Sequence, residues 1–225
     1  MLFSILIATL ESRREQFERL YERLTSQIAR ASSSEETEIV YFRDNRQHSV
    51  GHKRNWLVTQ AQGEFVAFVD DDDEVSNDYV ALIVQALRAH ADVDCLGITG
   101  IITFRGTHPR RFVHSLRYRH YFSQGGCYYR PPYHLNPIRR SIALRYPFED
   151  ISYSEDIDWA MRLCRDGALK KEFFIEQPIY HYHSPRLWLY QALLDHTEWI
   201  RHPLGLKLAN RVRLQRFLRS VLKGG

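Results

Sequence analysis

GEFVAFVDDDDE, residues 63–74, sets an unbroken apolar run (Phe65, Val66, Ala67, Phe68, Val69) directly against four aspartates and a glutamate. Five consecutive apolar residues lack the alternation of a surface strand and predict a strand buried on both faces. Carboxylates crowded at the mouth of such a strand repel one another and raise one another's pKa unless positive charge sits among them. A divalent cation is the simplest source of that charge. An oxygen-only donor set suits Mg²⁺ or Mn²⁺ held by one or two carboxylates together with the phosphates of a nucleotide. The bland alternative is a solvated acidic turn capping the next helix. The buried strand before it favours a site, because open α/β sheets bind ligands outside the carboxyl ends of their strands.

Working outward, residues 3–8 are apolar and β-rich, as in a central parallel strand, and TLESR (residues 9–13) follows as a loop. Phe17, Leu20, Tyr21, Leu24 and Ile28 recur at helical spacing, and residues 38–42 predict the next strand. Strand, helix and strand at these lengths form a βαβ unit, expected to be parallel. HSVGHKRN (residues 48–55) opens a helix in which Gly51 permits close backbone approach. Lys53 and Arg54 at its start call for a nearby phosphate or carboxylate. Tyr79, Val80, Ile83, Val84 and Leu87 mark another amphipathic helix, and residues 94–104 another strand.

Between residues 107 and 133 arginine, histidine and tyrosine dominate with little periodicity, predicting an irregular functional loop region with one or two strands. HLNPIRRSI (residues 134–142) follows. Ser154 reads as an N-cap, with Glu155 and Asp156 in the first helical turn and Gly167 as the stop. Locally that acidic pair reads as complementing the helix dipole. Period-two alternation in residues 173–183 puts Ile179, His181 and His183 on one face and Tyr180 and Tyr182 on the other. Two histidines on one face can reach a metal or simply hydrogen-bond within the strand.

A chain of 225 residues with 44% hydrophobic and 26% charged residues buries a sizeable core, which excludes a disordered class. The formal charge is +4, but residues 186–225 carry eight Lys/Arg against two acidic residues, leaving the rest at −2. Their apolar positions repeat at helical spacing, predicting a basic amphipathic extension. Packing on its own domain is the first expectation for it, peripheral contact with an anionic membrane face the second. The three cysteines form no CxxC pair, so neither a disulfide framework nor a zinc cluster is indicated and a reducing, cytoplasmic setting is expected. MLFSILIATL lacks a basic n-region and is too short to span a bilayer, so it reads as a strand.

Taken in order, FSILIATLESR, DNRQHSVGHKRN, GEFVAFVDDDDEV, HLNPIRR and YSEDIDWAMRL resemble glycosyltransferase family 2, whose fold is the GT-A nucleotide-diphospho-sugar transferase fold. The resemblance covers roughly residues 3–183; each motif is weak alone, and their order and spacing make the set specific. It implies an α/β domain with a mostly parallel central sheet flanked by helices over residues 1–184, followed by the helical extension, residues 185–225. Within that domain, residues 1–104 form the nucleotide and metal half and residues 105–184 the acceptor and catalytic half. It further implies transfer of a sugar from a nucleoside-diphosphate sugar to a glycan or other hydroxyl acceptor, with no nucleic acid as partner. Thr9, Glu11, Arg13, Asp44, Lys53, Arg54, Asp70 and Asp71 would line the donor pocket. Asp70 and Asp72 match the family's DXD motif. Asp72 would hold Mn²⁺ or Mg²⁺ directly, with Asp70 at ribose or metal, and His181 or His183 nearby. The register within Asp70–Asp73 is open by one residue. Asp156, with Glu155 as runner-up, would be the base that takes the acceptor proton in an inverting displacement. His134 and Asn136, with Arg139 beside them, would meet sugar or acceptor. The chain departs from the family at Ala8-Thr9 and at Asp44-Asn45-Arg46, which touches the base pocket more than the metal site.

Two other readings share these features. A sugar nucleotidyltransferase would carry a glycine-rich basic loop near the start, and residues 8–14 contain no glycine. A non-catalytic binding module working through the basic tail has no need of both carboxylate sets, and both are present.

Overall fold

The apolar run becomes β3 (Phe65–Phe68), all four residues buried. It pairs in parallel with β1 (Phe3–Leu10), Phe3 opposite Phe65 and Leu6 opposite Phe68. On the far side of β1 lies β2 (Thr37–Asp44), again parallel, running from Phe3 opposite Thr37 to Leu10 opposite Asp44. The computed structural model describes residues 1–31 and 33–184. The basic extension expected at residues 185–225 therefore lies outside the described residues.

A 3-10 turn (Glu11–Arg13) leads from β1 into α1 (Arg14–Arg30). Then come α2 (Val50–Gln60), the short β4 (Glu74–Val75), α3 (Tyr79–Ala89) and β5 (Cys95–Phe104). The chain continues with β6 (Thr107–His114), β7 (Phe122–Gln124), β8 (Cys127–Arg130), β9 (Ile138–Arg139), α4 (Arg140–Ala143), α5 (Glu155–Arg165) and β10 (Glu172–Ser184). One mixed sheet runs β2-β1-β3-β9-β5-β6-β8-β7, with β10 beside β5 and β4, and most of its register is parallel.

Alternation along the central strands explains the double burial. Phe3, Ile5, Phe65 and Ala67 face a core with Phe17, Leu20 and Leu24 of α1 and with α3. Leu6, Val66 and Phe68 face a second core with Leu57 of α2, Ile142 of α4 and Trp159 and Leu163 of α5. With β1, β2 and β3 parallel, their carboxyl ends open on one side, and residues 9–13, 44–48 and 70–73 meet there.

Residues 107–133 differ from expectation: they hold three strands, with Gly125 and Gly126 at φ 57° and 77° between β7 and β8. Two adjacent left-handed residues are what a two-residue hairpin turn requires. The strands were hidden because tyrosine and arginine occupy their inward as well as outward positions, erasing the apolar alternation; Tyr128 and Arg130 of β8 are both buried. Ser154 does precede α5, but at φ 67° and with no side-chain cap bond. The left-handed backbone turns its hydroxyl away, and Asp156 Oδ1 instead accepts from its neighbour's amide at Ile157, 2.7 Å. Gly167, at φ 59°, ends the helix as its position predicts.

Gly51 also has a specific neighbour. A Cβ there would lie 1.8 Å from the Glu149 carbonyl oxygen, so the close approach it permits is between α2 and the chain's own 149–151 segment, where its amide donates to Ile151 O. Gly51→Ala is expected to lower stability by about 2–3 kcal/mol, because backbone cannot move aside as a side chain can. A fall in urea midpoint at unchanged m-value is the check. Among the described residues, no helix is long and apolar enough to cross a membrane.

Candidate active site

The cations that opened α2 unfavourably find carboxylates. Lys53 is buried, donating to Thr9 O at 3.0 Å and to Asp44 Oδ1 at 2.5 Å. Asp44 also accepts from the His48 amide, 2.9 Å, and the Arg46 amide, 3.2 Å. Burial would raise its carboxyl, but the Lys53 ammonium and these amides outweigh it and hold it at about 2. Its acceptor sites are thus largely engaged by the chain itself.

Arg54, buried between the rings of Phe68 and Phe148, reaches Asp70 Oδ1 at 3.2 Å and Glu155 Oε1 at 3.3 Å. One side chain thereby links the acidic strand end to α5. His134 sits beside it, with Nε2 3.3 Å from Asp70 Oδ2, while Nδ1 faces Asp156 Oδ2 from 3.9 Å, beyond hydrogen-bond reach. Burial pushes the Asp70 carboxyl up, but His134 and Arg54 beside it prevail and its pKa is lowered; burial and Arg54 in turn lower the His134 pKa, so Arg54 is the lasting positive charge at Asp70.

The four aspartates divide by exposure. Asp71 is buried, accepting from Thr9 Oγ1 and an Arg13 guanidinium nitrogen, each at 2.7 Å. Asp73 is buried too, accepting from Tyr180 Oη and the His183 amide, each at 2.8 Å. Burial raises its pKa well above the usual range, with Asp70 adding to the effect. Asp70 and Asp72 keep 31% and 52% of their side chains exposed, and among the described residues Asp72 has Arg13, at 3.1 Å, as its one ion-pair partner. Asp70 and Asp72 are the carboxylates left open, and Asp71 and Asp73 are built into the scaffold.

On α5, Asp156 is partly exposed and accepts a short hydrogen bond from the Tyr133 hydroxyl. Glu155 is buried against Arg54, and burial pushes its carboxyl up to about 7 despite that cation.

Several expected residues have partners other than those the sequence suggested. Glu11 is turned toward Arg14, 3.0 Å away. Asn136, 1% exposed, donates to Leu96 O at 2.8 Å and accepts from the Tyr133 amide at 2.9 Å, so it fixes the loop that carries Tyr133 and His134 instead of lining the cleft. Arg139 donates to the carbonyls of Ala91 and Val93 and pairs with Glu64, away from the cleft. His181 is half-buried, and His183 shares a hydrogen bond with Thr103 Oγ1 at 3.0 Å. The rings of these two are not gathered with the aspartates: among the described residues no three His, Cys, Asp or Glu side chains converge as a metal centre. Tyr133 and Tyr180 were not singled out as site residues. Tyr180 was legible only as the strand face opposite the histidines, and its hydroxyl both donates to Asp73 and accepts from the Asp70 amide at 3.1 Å.

A parallel βαβ sheet with an acidic strand end joined to a carboxylate-bearing helix defines the class. The glycosyl transferase family 2 model matches residues 22–151, more than half of the sequence, and the chain belongs to that family. The match includes the four aspartates and stops short of Glu155 and Asp156. Among solved structures the chain is similar to S. aureus TarS 1-349, at 17% identity and TM-score 0.54 over 82% of this chain and 61% of that one. TarS 1-349 in complex with UDP-GlcNAc gives 15% identity and TM-score 0.56, covering 83% and 59%. The complex with UDP gives 16% and 0.56, covering 81% and 60%. The chain therefore spans about three-fifths of these TarS structures, and the likeness is one of fold. No curated protein sequence matches it.

Proposed function

We propose that this chain transfers a sugar from a nucleoside-diphosphate donor to an acceptor hydroxyl, with Asp156 as the base. The observation that carries the reading is the bridge from Asp70 through Arg54 to Glu155, with His134 seated between Asp70 and Asp156, which brings the strand-end carboxylates and the helix carboxylates to one cleft. The donor nucleotide would lie at the carboxyl ends of β1, β2 and β3, and the UDP and UDP-GlcNAc bound in TarS make uridine nucleotides the first to try.

The cleft fits a hard divalent ion. Its projecting donors are carboxylate oxygens of Asp72 and Asp70, and one or two carboxylates suffice when diphosphate oxygens complete the set. With no three-residue cluster among the described residues, the ion would be held jointly with the donor rather than in advance of it. Bound Mn²⁺ or Mg²⁺ would offset the charge that develops on the departing diphosphate. Asp70, fixed from two sides by Arg54 and His134, would hold its oxygen toward that ion or the ribose. Asp156 would take the proton of the acceptor hydroxyl as the anomeric bond breaks, oriented by the Tyr133 hydroxyl. A single displacement of this kind inverts the anomeric centre.

Titration with UDP and UDP-sugars in Mn²⁺ and in chelator tests the donor half. Binding is expected to require Mn²⁺, and Asp72→Ala is expected to weaken it about 10- to 100-fold in Mn²⁺. In chelator the variant and the parent should be alike. Equal binding by the two proteins in Mn²⁺ removes Asp72 from the site, and failure of every nucleoside diphosphate and diphosphate sugar to bind removes the donor reading.

A further inference from the structure

Two cavities lie apart from the aspartate cleft and share one wall, Tyr118. The larger, about 490 Å³, is lined by Arg111, Arg117 and Tyr129, with the Gly125-Gly126 turn at its edge. The smaller, about 390 Å³, runs between Arg119, Pro131, Pro132 and the α5 residues Ala160, Leu163 and Cys164.

Both open on the α5 side of the sheet. Phe112 and Tyr128 of β6 and β8 point into the core shared with α1 and α3, so their neighbours Arg111 and Tyr129 project from the opposite face. That face is the one α5 covers through Trp159 and Leu163. On α5 itself, Ala160, which lines the smaller cavity, lies one helical turn after Asp156.

Aromatic and basic walls dominate the larger cavity, and the smaller adds Arg119 and Lys170 to walls of Leu116, Pro131, Pro132 and Leu169. Tyr118, Phe122 and Tyr129 form a cluster, with ring centroids 4.9–5.5 Å apart. The Arg117 guanidinium lies over Phe174, 5.2 Å from its centre. Arg111 donates to Glu176 O at 3.1 Å and, among the described residues, forms no ion pair with a carboxylate. Among the described residues Arg117 and Arg119 form no ion pair either. Glu172, which feels the charge of Arg117, is already hydrogen-bonded to Ser115 Oγ and the Leu116 amide. Residues 95–148 hold nine arginines and no aspartate or glutamate, so Glu172 is the acid that the arginines of the groove meet.

We infer that the two cavities form one extended groove for an anionic glycan, its sugar faces on Tyr118 and Tyr129 and its carboxylates or phosphates on Arg111, Arg117 and Arg119, leading toward Asp156. This deepens the glycosyl-transfer reading by naming the acceptor class, and so rests on it. Aromatic walls with a few fixed cations suit a ligand that alternates apolar ring faces with acid groups, and the guanidinium fork recognises carboxylate and phosphate alike.

The test is fluorescence polarisation with four labelled probes: oligogalacturonate, a glycerol-phosphate oligomer, a neutral malto-oligosaccharide and a single-stranded RNA. The parent is expected to bind one or both anionic polyol probes and to bind the neutral one far more weakly. Which of the two binds better distinguishes carboxylate from phosphate as the source of the acid. Arg111→Gln with Arg117→Gln is expected to weaken that binding about tenfold or more, the worth of one or two charge-assisted hydrogen bonds. Tyr118→Ala is expected to weaken it too, with UDP affinity unchanged in both variants. Stronger binding of RNA, equal binding of the neutral probe, or indifference to Tyr118→Ala overturns the inference. UDP titration of the same parent separates the two failures: donor binding without glycan binding sinks the groove alone, and glycan binding without donor binding sinks the transferase reading alone.

Discussion

Asp156→Asn is expected to lower the turnover number by about 10²- to 10⁴-fold, the range that a positioned general base contributes. Donor affinity should stay at the parental value. The substitution is nearly isosteric: the amide oxygen at the Oδ1 position still accepts from the Ile157 amide, and the amide nitrogen at the Oδ2 position can donate to the Tyr133 oxygen, so the start of α5 keeps its geometry. What is lost is only the capacity to take a proton. Equal losses in kcat and kcat/KM, with unaltered binding of the nucleoside diphosphate, mark an interaction made only in the transition state. Retained turnover would remove Asp156 from the role. Glu155 is a poor substitute for it: at 4% exposure and held against Arg54, it has no path to an acceptor hydroxyl, and burial keeps its proton on up to about 7. Glu155→Gln is therefore read as a change in how Arg54 presents Asp70.

The parts legible in the sequence are those whose physics is local or periodic. The buried run at residues 65–69 had to be a strand with helices on both faces, and the amphipathic spacing from Phe17 to Ile28 supplied one of them. The cations of α2 had to find anions, which are Asp44, Asp70 and Glu155. Pairing at long range was not legible. Nothing near Tyr133 in sequence announces that its hydroxyl reaches Asp156, or that Tyr180 holds Asp73 from 107 positions away. Tyrosine satisfies an apolar and a polar pattern equally, so a tyrosine-rich stretch conceals both its strands and its site residues. The same ambiguity made Asn136 look like a contact residue, whereas its amide serves the backbone of its own loop. Within Asp70–Asp73, composition left the register open, and burial distinguishes the projecting carboxylates from the anchored ones.

The largest loss of stability from a single change is expected at Asp44. Its side chain is 7% exposed and that of Lys53 4%, so Asp44→Ala leaves an ammonium buried with one backbone carbonyl for company. Breaking a buried pair from one side costs about 3–5 kcal/mol, most of it the desolvation of the charge left behind. Urea unfolding near neutral pH measures it. The pair is not needed for stability as such: Asp44→Leu combined with Lys53→Met is expected to recover most of the loss, because two apolar groups of similar volume carry no desolvation penalty. The double variant should nonetheless bind nucleoside diphosphates poorly, since Lys53 ties the end of β1 at Thr9 to the end of β2. Acid unfolding gives an independent check. The Asp44 carboxyl is depressed in the folded chain from 3.8 to about 2, so its contribution is complete above 3.8 and disappears as the pH falls through about 2. The parent should lose stability across that window more steeply than the double variant. Parallel acid curves for the two proteins would mean that Asp44 is not ionised against Lys53, and the strand-end scaffold that presents Asp70 and Asp72 would then need a different origin.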